Sequence, residues 1–192
     1  MNPQQHAEFI QAVETSPLLR PILASWDHLH LPNCWLVAGV LAQTVWNRAH
    51  GFDPAYGVSD IDIVYHDAED LSEESEADHS RRINGLFAGL GVPFDVKNEA
   101  RVHLWYAAKF GDAIEAYASA EAAIATFPTT AGAIGIRPSA QGLDLCAPFG
   151  LDDLLGLVVR PNKCQITEAI YRAKVARWRS LWPKLTIIDW DA

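Results

Sequence analysis

The sequence has few cysteines, and they are far apart. Cys34, Cys146 and Cys164 form no Cys-x-x-Cys pair, so their spacing favours neither a disulfide framework nor a zinc site. We interpret them as small buried thiols in a reducing compartment. This interpretation predicts a cytoplasmic protein.

Long apolar runs are also missing. No apolar stretch approaches the roughly 18 residues that a membrane span requires. The first ten residues, MNPQQHAEFI, contain neither the basic segment nor the apolar segment of a signal peptide. We therefore expect no association with a membrane.

Positive charge is scarce as well. The chain has 15 Lys and Arg against 24 Asp and Glu, which gives a formal net charge of -9. This balance opposes long-range attraction to phosphate backbones and disfavours a nucleic acid partner. The excess of acidic residues is unevenly distributed along the chain, because residues 67–79 hold seven acids while the charged residues of 171–184 are all basic. We interpret the acidic segment 67–79 as a solvated loop.

The residues that are abundant indicate a folded chain. Apolar residues make up 49% of the sequence and charged residues 20%, with seven Trp, which is typical of a globular domain. We expect one domain over residues 1–192. Periodicity and turn residues predict helices at 3–15, 17–30, 40–50, 78–90, 98–110, 112–126 and 165–182, and strands at 34–39, 61–65, 92–98, 131–139 and 142–148.

Two aspartates alternate with isoleucines in the stretch Ser59-Asp60-Ile61-Asp62-Ile63. Its β-branched and aromatic bias predicts a strand, and side chains two apart in a strand share one face. Asp60 and Asp62 therefore lie side by side. Such a pair must be solvated, hydrogen-bonded, partly protonated or bound to a cation, because two close carboxylates repel each other.

Five sequence blocks carry a family resemblance: AGVLAQTVWN, SDIDIVYHD, NEARVHLWY, TTAGAIGIR and GLDDLLGLVVRPN. In this order they resemble a bacterial nucleotidyltransferase-like family within the DNA polymerase β-type superfamily. The resemblance covers roughly residues 30–165. It implies an α+β fold in which a short mixed sheet is flanked by helices, with helical additions at 1–30 and 165–192.

The resemblance also implies a metal site. Asp60 and Asp62 match the two carboxylates that hold the metal ions in this superfamily, and Asp95 matches the third, which helps to deprotonate the acceptor. Mg²⁺ is the implied ion, with Mn²⁺ as a substitute. Oxygen ligands and substrate phosphates are what Mg²⁺ binds.

The same resemblance implies a nucleotide site. Gly39 would let the triphosphate of an NTP approach the start of the following helix, and Val40 stands where relatives usually carry Ser. Ser59 belongs to the diacid motif. Lys97 and Arg101 follow Asp95 and are the best candidates to bind phosphates. Trp105 is the one Trp that we consider for base stacking rather than for the core.

Two functions from different classes remain open. The first is metal-dependent transfer of a nucleotidyl group from an NTP to a hydroxyl of a small molecule or protein. The second is a catalytically silent relative that binds a nucleotide or a protein through the same cleft, which Val40 favours. A nucleic acid acceptor is disfavoured by the net charge.

Overall fold

A five-stranded mixed sheet forms the centre of the protein in a computed structural model, which describes residues 2–192. The strands are β1 (Trp35–Val37), β2 (Ile61–Tyr65), β3 (Phe94–Asn98), β4 (Gly135–Ser139) and β5 (Gly142–Cys146), in the spatial order β3-β2-β1-β4-β5. The pair β2 and β3 is parallel, and the other neighbours are antiparallel. This arrangement confirms the predicted α+β fold with a mixed sheet.

Helices surround the sheet, and two further strands, β6 (Val158–Val159) and β7 (Thr186–Ile187), form a parallel pair. The helices are α1 (Pro3–Thr15), α2 (Arg20–Ala24), α3 (Gly39–His50), α4 (Glu73–Leu86), α5 (His103–Phe110), α6 (Ala120–Ile124), α7 (Asp152–Leu155) and α8 (Glu168–Leu181). Short 3-10 turns occupy Trp26–Leu29, Ala88–Leu90 and Glu99–Arg101. Within residues 2–192, none of the helices has the length and apolarity to cross a membrane.

The terminal helices share one core with the sheet. Phe9 of α1, Trp46 of α3 and Trp178 of α8 are all buried in the same apolar cluster. The Trp46 ring meets those of Trp178 and Trp182 edge to face, with centroids 5.0 and 5.4 Å away. Edge-to-face pairs of this kind contribute about 0.5–1.5 kcal/mol each beyond their burial. These contacts hold α8 against α3.

The acidic segment 67–79 is a loop only in its first part, although we predicted a loop over its whole length. Helix α4 begins at Glu73, and the Ser72 side chain caps it by accepting a hydrogen bond from the Ser75 N–H. The first turn carries Glu73, Glu74 and Glu76, where carboxylates interact favourably with the helix dipole. The acids of 73–79 are therefore helix-starting residues, and only 67–72 lies outside a helix.

Four other expectations are corrected. Residues 17–30 form the short α2 and a 3-10 turn rather than one helix, and residues 98–102 precede α5. Alanine-rich 112–126 is helical only at Ala120–Ile124, because tertiary hydrogen bonds of Tyr117 to Thr126 and Gln165 override its helix propensity. Of the cysteines, Cys34 is buried and Cys164 is exposed.

Candidate active site

The parallel pairing of β2 and β3 brings the predicted aspartates together. Asp62 and Asp95 are partners in the register of these strands, and adjacent strands lie about 4.8 Å apart. Asp60 precedes β2 and is exposed, and its Oδ1 accepts a hydrogen bond of 2.7 Å from Ser59 Oγ. The three carboxylates thus lie at one end of the two strands.

Among the three aspartates, Asp62 has a raised pKa. Burial is the largest reason that this pKa rises from 3.8 to about 7, and the negative charges of Asp60 and Asp95 contribute to the same rise. Lys174 and Lys97 act in the opposite direction. A bound cation would favour the charged form of Asp62 against both its burial and the neighbouring carboxylates.

Asp95 has a cationic partner of its own. Its Oδ1 lies 3.0 Å from Lys97 Nζ, and both side chains are nearly half exposed. Among the residues from 2 to 192, no three Asp, Glu, His or Cys side chains converge closely enough to surround one metal ion. The described residues thus hold no preformed site of three ligands, and Asp95 is paired with Lys97 instead. The oxygen donors themselves are those that Mg²⁺ prefers.

Helix α3 begins beside Asp62. A Cβ atom on Gly39 would lie 3.9 Å from Asp62 Oδ2, so the first turn approaches the carboxylate closely. The preceding Ala38 has φ +58° and gives the helix no side-chain cap. The N–H groups of Leu41 and Ala42 donate to the Ala38 carbonyl, so those of Gly39 and Val40 remain available to an anion. Val40 is fully buried, so only its backbone can take part.

A cleft of about 200 Å³ lies over these groups. Gly39, Asp62, Lys97 and Lys174 are among the residues that line it, together with Glu99. Lys174 comes from α8 and lies with its Nζ 5.0 Å from the centre of the Trp178 ring. Part of the Lys174 side chain is exposed, but the surrounding protein desolvates its ammonium group and lowers its pKa. The negative charges of Asp62 and Asp60 act to raise this pKa. The cleft thus combines carboxylates with two cations.

Sequence reasoning did not find Lys174 or Glu99. The basic run in 171–184 was a signal for Lys174, but nothing indicated which of its residues faces the aspartates. Glu99 is only 7% exposed. Burial, followed by the negative charges of Glu76, Asp62 and Asp95, raises its pKa to about 8. Its position in a family-like block gave no hint of this burial.

The structure does not bring Arg101 to the cleft. Its Nη1 donates a hydrogen bond of 2.8 Å to Glu76 Oε1, and its Nε donates one to the Leu71 carbonyl. Both charged partners are about nine-tenths buried. Arg101 therefore ties α4 to the segment after β3, and we leave it out of the nucleotide site.

Comparisons with known proteins agree with this geometry. No curated protein matches the chain. A solved structure described as "The NMR structure of the protein reveals a CCA-adding enzyme head domain" is similar with a TM-score of 0.80 and 25% identity, over 98% of this chain and 96% of that chain. A family model described as "Nucleotidyltransferase" matches residues 24–187. The chain therefore belongs to the nucleotidyltransferase family.

Proposed function

We propose that the protein transfers a nucleotidyl group from an NTP to a hydroxyl of a small molecule or a protein. The observation that carries this proposal is the register of Asp62 with Asp95, beside the uncapped start of α3 at Gly39. This arrangement unites acids for the reacting centre with N–H groups for the phosphates. The net reaction forms a bond between the acceptor oxygen and the α-phosphorus and breaks the α–β phosphoanhydride bond. Pyrophosphate leaves with the bonding electrons.

The residues of the cleft have separate tasks in this proposal. The backbone at Gly39 and Val40 binds the triphosphate, and Lys97 and Lys174 offset its charge. Ser59 orients Asp60 through their 2.7 Å hydrogen bond. Asp95 receives the proton of the attacking hydroxyl after Lys97 has moved to the phosphates.

Mg²⁺, with Mn²⁺ as a substitute, is the proposed cofactor, and Asp60, Asp62 and Asp95 are the residues that would hold it. Burial, followed by the negative charges of Asp60 and Asp95, raises the pKa of Asp62, which supports a site that a cation would stabilise. When bound, the ion supplies charge neutralisation for the phosphates and favours deprotonation of the hydroxyl.

We propose a small-molecule or protein acceptor, although the similar solved structure is described as a CCA-adding enzyme head domain. The net charge of -9 opposes binding of an RNA acceptor. We also propose that the protein works in the cytoplasm, on the basis of its cysteine pattern.

Isothermal titration calorimetry tests the donor and the cofactor. Each of the four common NTPs is titrated with Mg²⁺ into the wild-type protein, Asp62→Asn and Asp112→Asn. Asp112 is an exposed acid outside the cleft and serves as a matched control. We expect Mg²⁺-dependent binding of an NTP to the wild type and the control, and none to Asp62→Asn. Equal binding by all three proteins would contradict the proposed site.

The ion pair between Asp95 and Lys97 favours a second candidate function. A silent relative would keep this pair intact and bind a nucleotide without releasing pyrophosphate. It predicts that Asp95→Asn retains the NTP affinity of the wild type. The transferase proposal predicts instead that this variant loses pyrophosphate release in an acceptor screen.

A further inference from the structure

A second cavity of about 210 Å³ adjoins the cleft, and its walls are largely aromatic. Trp105, Tyr106 and Phe110 of α5 form one wall, and Tyr117 and Phe127 belong to other segments of the lining. The ring centroids of Tyr106 and Phe110 are 4.6 Å apart, and that of Trp105 lies 6.3 and 6.5 Å from them. Aromatic side chains arranged in this way offer flat surfaces on which a planar ring can stack.

The cavity and the cleft share part of their lining. Lys97, Glu99, Phe127 and Pro128 line both of them. Their volumes of about 200 and 210 Å³ together reach the range of ordinary ligand pockets, which begins at about 300 Å³. A ligand with a charged end and a flat apolar end can therefore occupy both spaces at once.

Glu99 lies where the two spaces join. Its side chain is 7% exposed, and in the described part of the chain its carboxyl group makes no hydrogen bond and no ion pair; burial and charge alone perturb it. Its oxygens are not fully enclosed, because the completely buried side-chain atoms that lack a hydrogen-bond partner in the described residues belong to other side chains. A ligand in the cavity can therefore form hydrogen bonds with this largely desolvated carboxyl group.

We propose that the aromatic cavity binds the nucleobase of the NTP and that Glu99 contacts the hydrogen-bonding edge of that base. The inference rests on the proposed function, which places the phosphates in the adjoining cleft. Every nucleobase has a flat face for the rings of α5 and an edge with donors and acceptors for a carboxyl group.

The test compares NTPs with inorganic tripolyphosphate, a probe that lacks the base. Calorimetry with Mg²⁺ measures both ligands on the wild type, Trp105→Leu and Leu104→Ala. Leu104 lies on the same helix, is 57% exposed and does not line the cavity, so its variant is the matched control. Phe110→Leu replaces Trp105→Leu if that variant fails to fold.

We expect Trp105→Leu to weaken binding of the preferred NTP by about 10-fold or more, as stacking on one aromatic side chain predicts. Its affinity for tripolyphosphate should stay unchanged, and Leu104→Ala should change neither affinity. Unchanged NTP binding, or equal weakening of both ligands, would overturn the nucleobase site alone. Failure of both ligands to bind the folded wild type would overturn the proposed function as well.

Glu99 is tested by its effect on base selection, which a purely structural role would not change. Calorimetry compares the relative affinities for ATP, GTP, CTP and UTP in the wild type, Glu99→Gln and Glu99→Leu. We expect Glu99→Leu to lose the preference among the four and Glu99→Gln to retain part of it, because the amide still offers a donor and an acceptor. An identical order and spread of affinities in all three proteins would overturn the role of Glu99.

Discussion

Replacing Glu99 with Gln should change how stability depends on pH. The pKa of Glu99 is about 8 in the folded protein against an ordinary value of 4.5. The unfolded chain therefore releases this proton first, and the folded state loses stability as pH rises from about 4.5 through about 8. Gln has no proton to release, so the variant lacks this loss.

The linkage relation gives the magnitude. For these two pKa values, the free energy of unfolding that Glu99 contributes falls by up to about 3.5 kcal/mol between about pH 5 and about pH 8. The advantage of Glu99→Gln over the wild type should therefore grow by up to this amount over the same interval. Asp62 contributes its own pH dependence to both proteins, so the comparison isolates most of the effect of Glu99.

Urea unfolding at both pH values, in the presence of EDTA, measures this difference. Glu8→Gln is the control, because Glu8 is exposed on α1 and its neutralisation should leave the slope with pH unchanged. Parallel pH profiles for the wild type and Glu99→Gln would refute the conclusion that folding desolvates this carboxyl group.

Three further changes test other parts of the structure. Arg101→Met leaves the buried Glu76 carboxylate without its cationic partner. Urea titrations should therefore show a free energy of unfolding that is lower by about 3–5 kcal/mol. A loss below about 1 kcal/mol, which is typical of an exposed ion pair, would contradict the burial of this pair. Lys174→Met should weaken Mg²⁺-tripolyphosphate binding in calorimetry without lowering stability, because its charge faces Asp62 rather than the core; unchanged binding would remove it from the phosphate site. Ala38→Gly should stabilise the protein by about 1 kcal/mol in thermal unfolding, since φ +58° suits glycine; destabilisation would contradict strain at this position.

Short-range patterns predicted where the aspartates lie along the chain, and their binding of a metal stays a prediction. Strand alternation predicted a shared face for Asp60 and Asp62; Asp62 lies in the strand observed at Ile61–Tyr65, and Asp60 directly precedes it. The order of elements then selected Asp95, which the structure pairs with Asp62. Local periodicity and family order suffice here because the register between β2 and β3 is fixed by the buried residues that alternate with the acids.

The remaining site residues depend on packing between distant segments. Lys174 lines the same cleft as Asp62 because Trp178 and Trp182 pack against Trp46 and hold α8 in place, which no local pattern in 171–184 reveals. Proximity to Asp95 in sequence favoured Arg101, whereas in the structure Glu99 lines the cleft and Arg101 pairs with Glu76, although both belong to one 3-10 turn. Within a tight turn, side chains two positions apart leave in different directions, and tertiary contacts decide which one faces the ligand.

The parallel pairing of β2 with β3 has a consequence for how the site assembles. Asp62 and Asp95 are 33 positions apart, and the chain between them must form α4 before returning beside β2. Closing such a loop costs entropy that only the finished strand pair recovers. A short peptide that contains only one of the two strands cannot display both carboxylates in register, so cation affinity should arise together with the long-range topology during folding. Recovery of Mg²⁺-dependent nucleotide binding during refolding would therefore report closure of this crossover rather than formation of any single helix.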